Sequence, residues 1–111
     1  MQIVKRLGAR KESSGSRLYN SKGAKPSVIL KITANEMAQI GVATRDRVLL
    51  GVTDDNRIVV MKANEGKVIY KPGRAASAYV GFPALRLKQN LRGTVENGVL
   101  FFPNADALEE I

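Results

Sequence analysis

Acid–base chemistry in this sequence would have to begin at two adjacent carboxylate pairs, Asp54-Asp55 and Glu109-Glu110. Such chemistry needs surroundings that drive the two pKa values apart. One pair falls in "TDDN" between two apolar runs and the other in the closing "PNADALEEI", so neither has an evident pocket. Turn capping suits Asp54, and a divalent cation there would lack further oxygen ligands at usable spacing. Ser21-Lys22, a nucleophile and base in principle, stands in a Gly- and Ser-rich stretch typical of a loop. Gly66-Lys67 is followed by Val68, and Met61 stands where the first glycine of a phosphate-binding loop belongs. With neither Cys nor His in the chain, thiolates, disulfides and the usual neutral-pH base are absent too. The expectation is a protein without enzymatic activity, cofactor or metal site.

What remains is the chemistry of cations against phosphate. The net charge of +8 is unevenly spread. Residues 1–31 carry eight Lys and Arg against Glu12, a net +7, while the other eighty residues carry ten basic and nine acidic groups. Each cation placed on a phosphate releases condensed counterions and adds affinity that is independent of sequence. Nucleic acid is therefore the expected polyanion; a plain solvated basic segment is the competing reading. A membrane surface is disfavoured, because this segment has no apolar face to insert. No apolar stretch approaches the roughly 20 residues of a membrane span, and no signal-like apolar region opens the chain, so a cytoplasmic protein is expected.

Those charges need a scaffold. A length of 111 residues suits a single domain, and with aromatics at 5% and no Trp its core must be chiefly Val, Ile and Leu. Residues 3–7 read as a strand and 8–27 as a basic loop or irregular hairpin. "VILKI" (28–32) is a strand. Thr33 and Glu36 have capping-box spacing, so a helix of about two turns follows, with Met37 and Ile40 on one face and Gly41 as its stop. "RVLLGV" (47–52) and "RIVVMK" (57–62) flank "TDDN" as a hairpin. From residue 67 the order restarts in shortened form: strand, basic Pro-Gly turn and strand over 67–82, then a helical turn or two from Pro83 carrying Leu85, Leu87 and Leu91. A hairpin around Asn97-Gly98 closes it. Residues 104–111 read as an acidic tail with a frayed helical turn. The chain is thus expected as a first unit, 1–63, and a second, 67–103; chance repetition of a common order is the alternative.

Residues 28–63 resemble the AbrB/MazE family of swapped-hairpin DNA-binding domains. "VILKI" stands for the family's first strand, "TANEMAQIGV" for its helix, "TRDRVLL" for its turn and strand, and "DDNRIVVMK" for its final arm. Thr33-Ala34 replaces the usual proline at the helix start, and "GARKESSGSR" is longer than the usual preceding loop. The second half keeps the proline in "AYVGFPALRL" and looks like a degenerate copy over 67–103. The resemblance implies a mainly β fold with short helices: a small β-barrel built from hairpins, here two tandem half-barrel units. It implies contacts to duplex DNA, favoured over RNA, from basic loops: Arg10, Lys11 and Arg17 on the first, Lys71 and Arg74 on the second. The corresponding role is a small transcriptional regulator or antitoxin-type autoregulator.

Arg bonds phosphate oxygens bidentately and Lys supplies point charge. Lys22 and Lys25 extend the first basic loop, and Gly15 and Ser13, Ser14 and Ser16 would let it follow a backbone closely. Arg17 and Asn20 are the candidates for reaching a base edge. Tyr19, Tyr70 and Tyr79 are expected at half-buried core edges rather than as stacking platforms for bases. Phe101 and Phe102 must face opposite sides of a strand, so one of them, or the acidic tail, could mark a protein partner. A non-enzymatic protein-interaction module, such as a phage-type inhibitor or assembly protein, and an RNA-associated basic protein therefore stay open. So does the choice between a chain that closes its own barrel and a homodimer that swaps arms.

Overall fold

The computed structural model describes residues 15–111; the strand expected over residues 3–7 and the candidates Arg10 and Lys11 lie outside the described residues. The chain is mainly β. In order come β1 (Arg17–Asn20), β2 (Ser27–Thr33), α1 (Ala34–Ile40), β3 (Arg47–Val52), β4 (Ile58–Lys62), β5 (Lys67–Val68), β6 (Ser77–Pro83), β7 (Leu85–Leu87), β8 (Leu91–Arg92), β9 (Thr94–Glu96) and β10 (Val99–Phe102). A 3-10 turn (Ala105–Ala107) and β11 (Leu108–Glu110) finish it.

Strict alternation drives β2: Val28, Leu30 and Ile32 are buried, while Ser27, Ile29, Lys31 and Thr33 face outward. The same period in β6 buries Ala78, Val80 and Phe82 and turns Tyr79 and Gly81 out. These two strands pair antiparallel over their whole length, from Ser27 opposite Pro83 to Thr33 opposite Ser77. With β1 and β8 they form one sheet in the order β6-β2-β1-β8, so the basic segment ending at residue 27 is in part a hairpin strand. A second sheet has the order β5-β3-β4-β10-β9, and β7 and β11 form a third. The inward faces share one apolar cluster in which Leu18, Leu30, Val48, Ile58, Leu100 and Phe102 are essentially inaccessible, the aliphatic core that the composition demanded.

Helix α1 starts and stops where its residues dictate. The Thr33 hydroxyl accepts the Glu36 N–H, and Gly41 ends the helix in the left-handed region at φ 75°. Glu36 reaches back less to backbone than to hydroxyls: its Oε1 accepts from Thr33 at 2.8 Å and from the buried Ser16 at 2.6 Å. The "TDDN" turn forms as expected, but the carboxylate that ties it is Asp55, bonded to the Thr53 hydroxyl and to Arg57, rather than Asp54. Asn97 and Gly98 both take positive φ, 51° and 76°, and join β9 to β10 tightly.

Three expectations are corrected. Among the described residues no closed barrel forms: the strands fall into three sheets, and the segments at the corners change partner midway. Val68 ends its pairing with β3, and two residues later Tyr70 bridges Tyr79 of β6; β8 pairs with β1 and, beyond Gly93, β9 pairs with β10. The helical turn expected from Pro83 is instead β7. Ala84 adopts φ 61°, its N–H donates to the Pro26 carbonyl, and the chain enters an antiparallel pairing of Leu85–Leu87 with β11. The acidic tail supplies that partner strand, with one turn of 3-10 helix before it.

The two halves interleave. β2 of the first half pairs with β6 of the second, and β4 pairs with β10, with Val60 opposite Leu100. Only the first half has a helix between its long strand and its hairpin.

Candidate nucleic-acid interface

Directly opposed residues of antiparallel strands point to the same side of a sheet. On the outward side of the four-stranded sheet, Arg17 stands opposite both Lys31 and Arg92, Lys31 opposite Tyr79, and Tyr79 opposite Tyr70. The row across the face therefore reads Tyr70, Tyr79, Lys31, Arg17, Arg92. Neighbouring strands lie about 4.8 Å apart, so the row spans roughly 19 Å.

Two residues further along β1, Tyr19 faces the same way, opposite Ile29 and then Gly81. An open groove of about 570 Å³ follows this surface, with Lys22 and Asn90 at its rim. No carboxylate is found among the described residues that line it. All three tyrosines of the chain thus gather beside the cations. The rings of Tyr70 and Tyr79 lie with centroids 6.1 Å apart at 36°, and Tyr70 is 51% exposed. Burial, and then the neighbouring phenols of Tyr79 and Tyr70, push the Tyr19 phenol above its ordinary value. It stays neutral and able to donate.

A larger depression of about 680 Å³ lies beside α1 and holds Glu36, whose carboxylate occupies the donors of Ser16 and Thr33. It suits an anion poorly. Ser16, expected to help a loop follow phosphate, is buried and spent on Glu36.

The residues expected to bind nucleic acid separate into groups. Arg17 is central to the row, and Lys22 borders the groove. Lys25 is exposed on the 21–26 turn. Lys71 and Arg74 are exposed on the 71–76 loop, which lies at the other end of the β2–β6 pairing from the 21–26 turn. Ser27 and Ser77, which follow the two loops, lie at opposite ends of the β2–β6 pairing, six residues or about 20 Å apart. The sheet face between them carries the row of paired cations. The Asn20 carboxamide is engaged within the fold: its Nδ2 donates to the Leu87 carbonyl at 2.8 Å and its Oδ1 accepts the Leu87 N–H at 2.7 Å. Tyr19 and Tyr79 are half-buried, as expected, whereas Tyr70 is exposed, and all three stand outside the apolar cluster on the outward side of the sheet.

Lys31, Arg92 and Asn90 were missed by sequence reasoning. The alternation of "VILKI" already puts Lys31 on the polar side of β2, but its alignment with Arg17, Arg92 and Tyr79 exists only once strands distant in sequence have paired. Comparisons with protein-family models, curated proteins and solved structures give no match. Among the described residues no helix is long and apolar enough to cross a membrane.

Proposed function

We propose that this chain is a DNA-binding protein without enzymatic activity and that its binding surface is the outward face of the β6-β2-β1-β8 sheet. One observation carries this reading: Lys31, Arg17 and Arg92 stand in register on one accessible face, beside tyrosines and with no lining carboxylate among the described residues. Such a strip attracts a phosphate chain by counterion release. Two other cations are tied to carboxylates, Arg57 to Asp55 and Glu96 and Lys62 to Asp46. The likeness of residues 28–63 to AbrB/MazE domains supports the same reading, as does the pairing of a hairpin strand from each half. A role as a small transcriptional regulator or antitoxin-type autoregulator rests on that likeness alone.

The test is binding of a labelled DNA oligomer across a salt series. Affinity should fall steeply with salt, and Lys31→Glu and Arg92→Glu should each weaken binding and flatten the salt slope by about one unit. A protein that binds no nucleic acid at low salt, or whose affinity ignores both reversals, does not work this way.

A second reading, a protein partner or a second copy, is favoured by the other sheet. Its outward face is apolar, with Leu49 opposite Met61 and Val59 opposite Phe101. Met61 is 43% exposed, and Arg57 covers only the Phe101 ring, at 3.9 Å. Phe102 is buried, so Phe101 is the outward one of the two. A solution mass near twice 12.1 kDa that Met61→Asp returns to the monomer value would establish a dimer through this face.

A further inference from the structure

We infer that the tyrosine-bearing face takes single-stranded DNA, with unpaired bases stacked on Tyr70, Tyr79 and Tyr19 and the phosphates running along Lys31, Arg17 and Arg92. This rests on the DNA-binding reading above and specifies the strand; it departs from the duplex preference that the family likeness implies. A duplex offers phosphates on its outside but hides the faces of its bases. Cations alone would serve it, and tyrosines would have nothing to meet. Unpaired bases need aromatic platforms interleaved with positive charge, and this sheet presents both in one row of paired residues.

Every tyrosine of the chain belongs to this surface, and Tyr70 is half exposed although a hydrophobic ring would ordinarily be covered. Ile29 lies between Tyr19 and Gly81, with its Cδ1 3.9 Å from where a Gly81 Cβ would stand, so the floor beside the rings is apolar and a base can pack on it.

The choice of deoxyribose follows the DNA-binding reading above, and because a 2′-hydroxyl both donates and accepts, a ribo-oligomer tests it.

The chain has three tyrosines and no tryptophan, so its intrinsic fluorescence reports on this face directly. The full chain is titrated with a 12-nucleotide oligothymidylate, the same sequence as a duplex with oligoadenylate, and the ribo-oligomer. Single-stranded DNA should quench tyrosine emission and bind at least tenfold tighter than the duplex. Tyr70→Leu and Tyr79→Leu should each cost about tenfold in single-strand affinity and leave duplex affinity unchanged, while the Phe replacements keep most of it. Tyr70 is exposed, so its Leu variant stays folded, which a thermal melt verifies, and its result stands even if Tyr79→Leu is unstable. Equal binding of duplex and single strand, with no effect of Tyr70→Leu, overturns the inference and leaves DNA binding intact. Tighter binding of the ribo-oligomer overturns the choice of DNA. Failure of all three oligomers to bind at low salt overturns the underlying reading as well.

Discussion

The carboxamide of Asn20 mimics a strand toward Leu87, giving one hydrogen bond to its carbonyl and taking one from its N–H. β1 pairs with β8 only at Arg17 and Leu18, so this side chain continues the contact where the backbone ladder has stopped. It fastens the third sheet to the first.

Asn20→Asp removes the donor and sets a carboxylate against the Leu87 carbonyl. A loss of about 1–3 kcal/mol in urea unfolding is expected, with DNA affinity changed far less than by Lys31→Glu. An equal effect on affinity would return Asn20 to the binding surface.

Acid should loosen the protein through two carboxylates. Asp46 is held below its ordinary pKa first by the Ala43 N–H and then by Lys62, and Asp55 first by the Thr53 hydroxyl and then by Arg57. For such depressed groups the stabilisation is present above the unfolded-state pKa and is lost as pH falls through the lower folded-state value. Stability should therefore decline on acidification from about pH 4 downward, and Asp46→Asn should show a shallower decline in thermal melts taken across that window. Asp55 is exposed and Asp46 is half-buried at the surface, so the effect is small and weakens further in salt.

Gly66→Ala should be strongly destabilising. A Cβ there would lie 2.3 Å from the Val48 carbonyl oxygen, which is backbone within β3, so no side-chain rotation can relieve it. The Gly66 carbonyl also accepts from Arg47 Nη1 at 3.1 Å, which fixes the close approach. A cost of about 1–3 kcal/mol or more is expected in denaturant unfolding; a neutral variant would mean that the 63–66 turn can move away from β3.

Ala84→Gly should do the opposite. Ala84 sits at φ 61°, where a side chain is strained, and both its N–H and its carbonyl are bonded, to Pro26 and Ile111. Glycine relieves the strain but loses more chain entropy on folding, a net gain of about 0.5–1 kcal/mol. A melting temperature several degrees higher is the expected result. A lower one would show that Ala84 is not strained.

Local chemistry made part of this fold legible in the sequence. Thr33, Glu36 and Gly41 mark α1 to within a residue, and Asn97-Gly98 and "TDDN" mark two hairpins, because a cap or a tight turn is decided by neighbours three or four residues away. Pro83 misled for the same reason. Its local preference for a first helical turn is overridden by a partner, β11, that lies more than twenty residues on. The candidate interface was legible only in kind. Arg17 and Lys22 were within reach of a charge count, whereas the alignment of Lys31 with Tyr79 and Arg92 depends on registers set by the apolar alternation of three separate strands. The loops drew attention because glycine and lysine announce them, yet the charges that line up are on the sheet.

The pairing of β2 with β6 and of β4 with β10 fixes when this molecule can form. A nascent chain that has emerged only as far as Lys62 holds two hairpins and half a core, and the outer edges of β1, β2, β3 and β4 all wait for strands still to be translated. Folding must follow synthesis of Phe102 rather than keep pace with the ribosome, and at high expression the exposed β2 of one nascent chain can capture β6 of another. Slow translation past residue 62 should therefore lower the yield of native protein.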